Sequence, residues 1–464
     1  MGGSGVEAKN LRIGQTASGQ VSDAERLRPW YIVAGFDRRA ADGDNRLASM
    51  NVDYRPLTKD DAEQAVEVEA LAFYTRPTPE RVEQWRELFQ PEWTVGAFID
   101  GKLVADVRTI PMARRINGSA IGFGGVGPVA CLAAYRRQGH VGRLLGMALE
   151  LMKERGMALS GLFTPHDALY ARYGWERSET KKQYQMRPSD IRLRLRGNPG
   201  SMEAVTADDW QRLDAIYRAY SERRNGPVHR GELWWRHSVF THWEAGTGER
   251  APSDALVWMN ADGVDEGYTV YYPQTMPRTA RYMPWEIEVR DFVALSGDAY
   301  LGIWQHLLAH DIATRLTVHM PPDDPFPNLV DDPRKVEIVG VGGTHVGGEG
   351  PMIRVVDVER ALGMRPFVGS HPVSFTMRIT DGSAAWNEGV WRIDAGEGQL
   401  RVELKDGEAD VELSAGTLAP IFTGYTRPEV AAGVGLLKVN RADALDDMGE
   451  AFAVTYPPYS NDWY

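Results

Sequence analysis

The chain has 464 residues, 43% hydrophobic and 25% charged, a composition typical of soluble proteins and too long for one average core, so two or three domains are expected. A formal net charge of −12 argues against nonspecific binding to nucleic acid or an anionic membrane and favours cationic small molecules or basic peptides as partners. The single cysteine, Cys131, excludes an intramolecular disulfide and any cysteine-based metal cluster; no metal is expected, and a reducing cytoplasm fits best.

Residues 1–49 open on a Gly/Ser-rich tip and show little periodicity, so they read as an N-terminal extension or leader. Their run WYIVAGF is far too short to span a bilayer. From Val52 the pattern is a short strand, a helix over Ala62 to Phe73, a second helix ending near Phe89, and a hairpin WTVGAFIDGKLVADVRTIPM. Asp100-Gly101 between its alternating apolar runs marks the turn. The strand GFGGVGPVACLA leads through a glycine turn into a helix whose Val141, Leu144, Leu145, Ala148, Leu149 and Met152 share one face, closed by Gly156. ALSGLF reads as a strand, DALYARYG as a short helix and ETKKQYQM as a last strand before the basic joint RLRLRGNPGS, giving a mixed α/β unit over 50–198.

A second unit, 199–350, repeats that order: the helix TADDWQRLDAIYRAYSERR, the hairpin DALVWMNADGVDEGYTVYYP, then the strand and helix of WEIEVRDFVALSGDAYLGIWQHLLAH. Its strand-to-helix turn lacks the arginines and has a different glycine spacing, so a duplicated fold with an erased ligand site is expected. Residues 351–464 alternate strand-like pieces with Asp-Gly and Gly-Glu-Gly turns, and end YSNDWY.

The turn in VACLAAYRRQGHVGRLL carries the chemistry. A helix N-terminus presents unpaired N–H groups and partial positive charge, so such a turn suits a phosphate or pyrophosphate, with Arg136 and Arg137 adding counter-charge. Neither a Walker loop nor a dinucleotide fingerprint is present. The turn follows a fourth-strand-like segment in a β-α-α-hairpin-β-α-β-α-β series. That order resembles the GNAT acetyltransferases, whose pyrophosphate motif reads Arg/Gln-x-x-Gly-x-Gly/Ala. Arg136 and Gly139 match its first two anchors, Val141 departs from the third, and Gly142 follows. GPVACLAAYRRQGHVGRLL, then LFTPHDALYARYGWE, a degenerate second unit and a sterol-carrier-like end resemble the Eis (enhanced intracellular survival) acetyltransferases from about Asn51 to Tyr464.

That resemblance implies an α/β (α+β) chain: tandem GNAT folds, the second degenerate, followed by a sterol-carrier-protein-like α+β domain. It implies acetyl-CoA as cosubstrate, with Val129, Ala130 and Cys131 offering backbone groups to the acetyl and pantetheine portions. Arg137, Gln138, Gly139, His140, Val141 and Gly142 would hold the pyrophosphate, and Pro165 and His166 would line the cofactor. Tyr170 matches the family's general acid, with Tyr173 its neighbouring rival; the α-carboxylate of Tyr464 matches the general base. Trp85 would cover the acceptor amine, and Asp462 is a candidate acid for a cationic acceptor: an aminoglycoside, a polyamine or a lysine side chain. The resemblance also implies a homohexamer. Two other readings are a noncatalytic lipid carrier, which needs an apolar tunnel in the last domain, and a protein-lysine acetyltransferase, which needs an open acceptor groove. His306 and His310 have metal-capable spacing but no evident third ligand, and read as a helix face. Cys131 lies beside the thioester path but has no partnered histidine, and reads as a small strand residue.

Overall fold

The computed structural model describes residues 51–76, 79, 82, 83, 86, 89–243, 250–275, 285–339 and 351–464; residues 1–49, Trp85 and most of the second helix expected before Phe89 lie outside the described residues. The first segment runs β1 (Val52–Pro56), α1 (Ala62–Ala72), β2 (Thr94–Ile99), β3 (Lys102–Ile116), β4 (Ser119–Cys131), α2 (His140–Glu154), β5 (Leu159–Leu162), α3 (Asp167–Ala171) and β6 (Glu176–Arg177). The β2–β3 turn takes left-handed backbone at both Asp100 (φ 50°) and Gly101 (φ 78°), the geometry that matches strand twist in a two-residue hairpin. On α2, Leu144, Leu145, Ala148, Leu149 and Met152 are fully buried, so the apolar stripe in the sequence is the face laid on the sheet.

The second segment contributes β7 (Lys182–Met186), β8 (Gly200–Val205), α4 (Trp210–Ser221), the short pair β9 (Thr241–Trp243) and β10 (Arg250–Pro252), β11 (Asp254–Asn260), β12 (Asp265–Thr275), β13 (Trp285–Ala294), α5 (Gly297–Leu308), β14 (Ala313–Met320) and β15 (Glu337–Val339). The third contributes β16 (Met352–Val355), α6 (Val358–Met364), β17 (Val373–Thr380), β18 (Gly389–Gly396), β19 (Gln399–Lys405), β20 (Val411–Ser414), α7 (Ala415–Thr423), α8 (Pro428–Gly433), β21 (Leu437–Val439) and α9 (Ala444–Ala451).

Three large sheets result, ordered β1-β2-β3-β4-β5-β16-β6, β15-β7-β14-β13-β12-β11-β8 and β19-β18-β17-β20-β21. Two strands sit in a different sheet from the one their position in the chain suggests. The strand read from ETKKQYQM forms, but as β7 it pairs with β14 and β15 in the second sheet. In exchange β16, from beyond residue 350, inserts between β5 and β6 in the first. The physical reason is burial on both faces: all four residues of β16 are buried, which a two-residue β6 alone could not achieve for β5.

One core joins the first and third sheets. Ile121, Phe123, Leu159, Ile353 and Val355 pack with Phe375, Met377, Ile393, Leu418 and Phe422, each at most 2% exposed. The apolar face of the last domain is therefore filled by its own helices and by the first sheet. No helix among the described residues is long and apolar enough to cross a membrane.

Candidate active site

The site starts from a gap between two parallel strands. β4 and β5 pair only at Phe123–Leu159, Gly124–Ser160 and Gly125–Gly161, whereas β4 continues to Cys131 paired on its other side with β3. From Val126 to Cys131 the β5-facing edge of β4 has no strand partner among the described residues, leaving backbone groups for an extended ligand up to the Cys131 carbonyl, which Arg136 occupies. Val129, Ala130 and Cys131 lie on this stretch, and Pro165 and His166 stand exposed past the end of β5. Burial pushes the Cys131 thiol up, against the smaller opposing pull of Arg136, so it stays protonated as expected of a strand residue.

The turn after β4 presents the N-terminus of α2 beside that gap. Gly139 is the residue before the helix, in left-handed backbone (φ 87°), and no side chain caps the first turn. Arg137 also has positive φ (66°) and its side chain is exposed. Arg136, the first motif anchor, is otherwise engaged: its guanidinium donates to the carbonyls of Cys131 (3.0 Å) and Ala72 (3.3 Å), tying the turn to β4 and α1. Gln138 donates to the Ala134 carbonyl at 3.2 Å. The His140 side chain faces inward, 2.7 Å from the Tyr54 hydroxyl, and burial lowers its pKa, so only its backbone faces the turn. Gly142 has a packing reason: a Cβ there would collide with the Tyr173 hydroxyl. Tyr173 is therefore a packing residue on the first turn of α2. In the second unit the equivalent helix α5 is capped, Ser296 Oγ accepting from the Ala299 N–H at 3.2 Å, which removes a donor that an anion would need.

Tyr170 on α3 is 8% exposed and packs in the cluster of Val126, Leu162, Cys131 and α2. Burial pushes its pKa up to about 12, so its hydroxyl keeps its proton at neutral pH. Tyr464 occupies the opposite face of the sheet, at the point where the strands part. A Cβ on Gly125 would lie 2.6 Å from the Tyr464 ring, and one on Gly161 2.6 Å from its hydroxyl. Phe123 meets the ring edge-on at 5.3 Å, and Phe163 packs against both Tyr464 (5.0 Å) and Trp463 (5.1 Å, stacked). The Tyr464 main-chain oxygen lies 3.6 Å from where a Gly127 Cβ would be. The aromatic segment ending at Tyr464 is thus docked, with the Tyr464 main-chain oxygen at the gap.

Asp462 differs from the expectation that it lines an acceptor pocket. It is 2% exposed, and its carboxylate accepts from Arg230 Nε (2.8 Å), Trp234 Nε1 (3.2 Å) and the Tyr217 hydroxyl (3.0 Å), so it is committed to holding the tail. Other carboxyls lie under α1. Glu69 pairs with Arg108, and Asp106, fully buried opposite Ala130, is held well above the usual carboxylate range by burial and by Glu69. His306 and His310 pack around the Tyr271 ring (6.0 and 5.3 Å). Sequence reasoning missed Gly125, Gly161 and Phe163, the seat of Tyr464. The available signal was glycine inside strand patterns, which marks close approach of another group.

A partly unzipped pair of parallel strands beside an uncapped helix N-terminus, in a fold repeated within one chain, defines a GNAT acyltransferase. Residues 53–178 and 226–355 each match an acetyltransferase (GNAT) domain family, and 358–461 match a sterol carrier protein domain family. An uncharacterized N-acetyltransferase of Streptomyces griseus is 25% identical over 437 residues, covering 89% of this chain and 100% of its own. The N-acetyltransferase Eis of Mycobacterium tuberculosis is 22% identical over 415 residues, covering 86% and 96%. A solved structure of an Eis protein from Mycobacterium abscessus is similar at 24% identity with a TM-score of 0.73, covering 89% of this chain and 100% of that one. With two GNAT domains the chain is a GNAT acyltransferase, similar to the N-acetyltransferase Eis over most of its length; GNAT acetyltransferases use acetyl-CoA.

Proposed function

We propose that this enzyme moves an acetyl group from acetyl-CoA to a primary amine by direct attack, with Tyr170 as general acid and the Tyr464 α-carboxylate as general base. The observation that carries the reading is the seating of Tyr464 where β4 and β5 part, with Tyr170 on the opposite face of the same gap. Acetyl and pantetheine portions fit the free edge at Val129 to Cys131, and the pyrophosphate fits the uncapped turn at Arg137 to Gly142. The amine nitrogen attacks the thioester carbon and the C–N bond forms; the C–S bond breaks. Tyr464 takes the proton released by nitrogen, Tyr170 gives its own to the departing thiolate, and solvent returns a proton from one to the other. An α-carboxyl of reference pKa about 3.5 is ionised at neutral pH, so its efficiency comes from position more than basicity. A tyrosine held near 12 remains a donor throughout the physiological range.

A cationic acceptor, whether aminoglycoside, polyamine or lysine side chain, is supported by the overall negative charge. A lipid-carrier role is disfavoured because the apolar interior of the last domain is occupied by its own side chains and those of the first sheet. The test is thiol release from acetyl-CoA with a panel of polyamines, aminoglycosides and lysine peptides. Turnover of at least one amine is expected; fatty-ligand binding without turnover would overturn the reading.

A further inference from the structure

The second unit has a gap of its own, and the tail lies across it. β13 and β14 run parallel and pair from Trp285–Ala313 to Val289–Val318, then part. At that point the Asn461 side-chain amide donates to the Arg290 carbonyl at 2.5 Å, and the Tyr459 hydroxyl donates to the His319 carbonyl at 3.0 Å. Each carbonyl belongs to the first residue beyond the last pair on its strand. Two tail residues thus bridge the diverging strands where, in the first unit, Tyr464 covers Gly125 and Gly161.

The anchorage continues on both sides. The Tyr459 N–H donates to the Asn225 carbonyl at 2.9 Å, and a Cβ on Gly226 would lie 2.5 Å from the Tyr459 backbone. Arg230, 3% exposed, joins Asp462 (2.8 Å) to Asp291 on β13 (2.5 Å). A buried, paired guanidinium spanning the two fixes the tail two residues before its end relative to the second sheet.

We propose that the second acetyltransferase-like unit has exchanged coenzyme binding for the task of aiming the chain's own terminus, with Asn461 and Asp462 as positioning residues for the Tyr464 carboxylate. This rests on the reading of that carboxylate as the base. Neither residue touches substrate; both act through Tyr464.

The test compares wild type, Asn461→Ala, Asp462→Asn and a chain ending at Trp463. Three quantities are measured: release of Tyr464 by carboxypeptidase A, steady-state kcat with the best amine, and coenzyme A Kd by calorimetry. In both substituted chains Tyr464 is expected to be released at least about tenfold faster and kcat to fall by about tenfold or more, with Kd for coenzyme A held within about twofold. Full protection of Tyr464 in both variants overturns the proposal, as does faster release with unchanged kcat while the shortened chain is slow. A shortened chain at full speed sinks the terminal-base reading itself, and the positioning role with it. Asn461→Ala removes a half-buried amide and keeps the test valid should Asp462→Asn fold poorly.

Discussion

At the scale of single residues, Tyr170 and the glycines opposite Tyr464 make separable predictions. Tyr170→Phe should fold and bind coenzyme A normally while kcat falls by about two to four orders of magnitude, the range for losing a general acid. Full-speed turnover would return Tyr170 to the packing role its burial also permits. With its pKa near 12, Tyr170 should produce no descending limb in the kcat–pH profile at pH 9–10. Because the folded state favours the neutral phenol, the stability contributed is complete below the unfolded value of about 10 and is lost as pH rises from there through 12. Gly125→Ala puts a methyl 2.6 Å from the Tyr464 ring and from the flexible end of Met112; kcat should fall about tenfold or more with coenzyme A affinity unchanged, as read by single-turnover and calorimetric measurements. Tyr170 was legible because it lies in a motif. The Tyr464 seat was not, since Gly125, Gly161 and Phe163 are brought to the last residue by the fold alone.

At the scale of elements, α2 was legible almost completely: one apolar face, a glycine before its first turn and another at its end. It carries two predictions of opposite sign. Arg137→Glu replaces an exposed cation beside an uncapped helix start with an anion and should weaken coenzyme A binding by about tenfold or more at low salt, less at high salt. Gly146, mid-helix, has open space where a Cβ would sit, so Gly146→Ala should raise stability by about 0.5–1 kcal/mol in denaturant melts. The exchange of β7 and β16 between sheets was not legible. Alternation in KQYQM specifies which face of a strand is buried, and nothing in that period says against which neighbour it pairs. Motif spacing likewise suggested two phosphate-facing arginines, yet Arg136 holds the turn together by donating to the Cys131 and Ala72 carbonyls, partners that only the fold brings to it.

At the scale of the whole molecule, the parts are joined by buried charge. Arg354 on β16 is fully buried, pairs with both oxygens of Asp381 at 2.7 Å, and donates to the Tyr173 carbonyl, linking the first sheet, the segment after α3 and the last domain. Arg354→Ala would leave Asp381 buried without its cation, at a cost of about 3–5 kcal/mol, visible as a lower melting temperature. A capped α5 and a tail-filled second gap predict one coenzyme A per chain by calorimetry; two equivalent sites would contradict that assignment.

The route of the last six residues has a further consequence. Tyr459, Asn461, Asp462 and Tyr464 each meet a fixed partner at a fixed step, so this stretch behaves as a ruler stretched between two sheets. One residue inserted after Asp462 should leave Tyr459, Asn461 and Asp462 on their partners while shifting Tyr464 off Gly125 and Gly161, so turnover should fall although the upstream anchors hold.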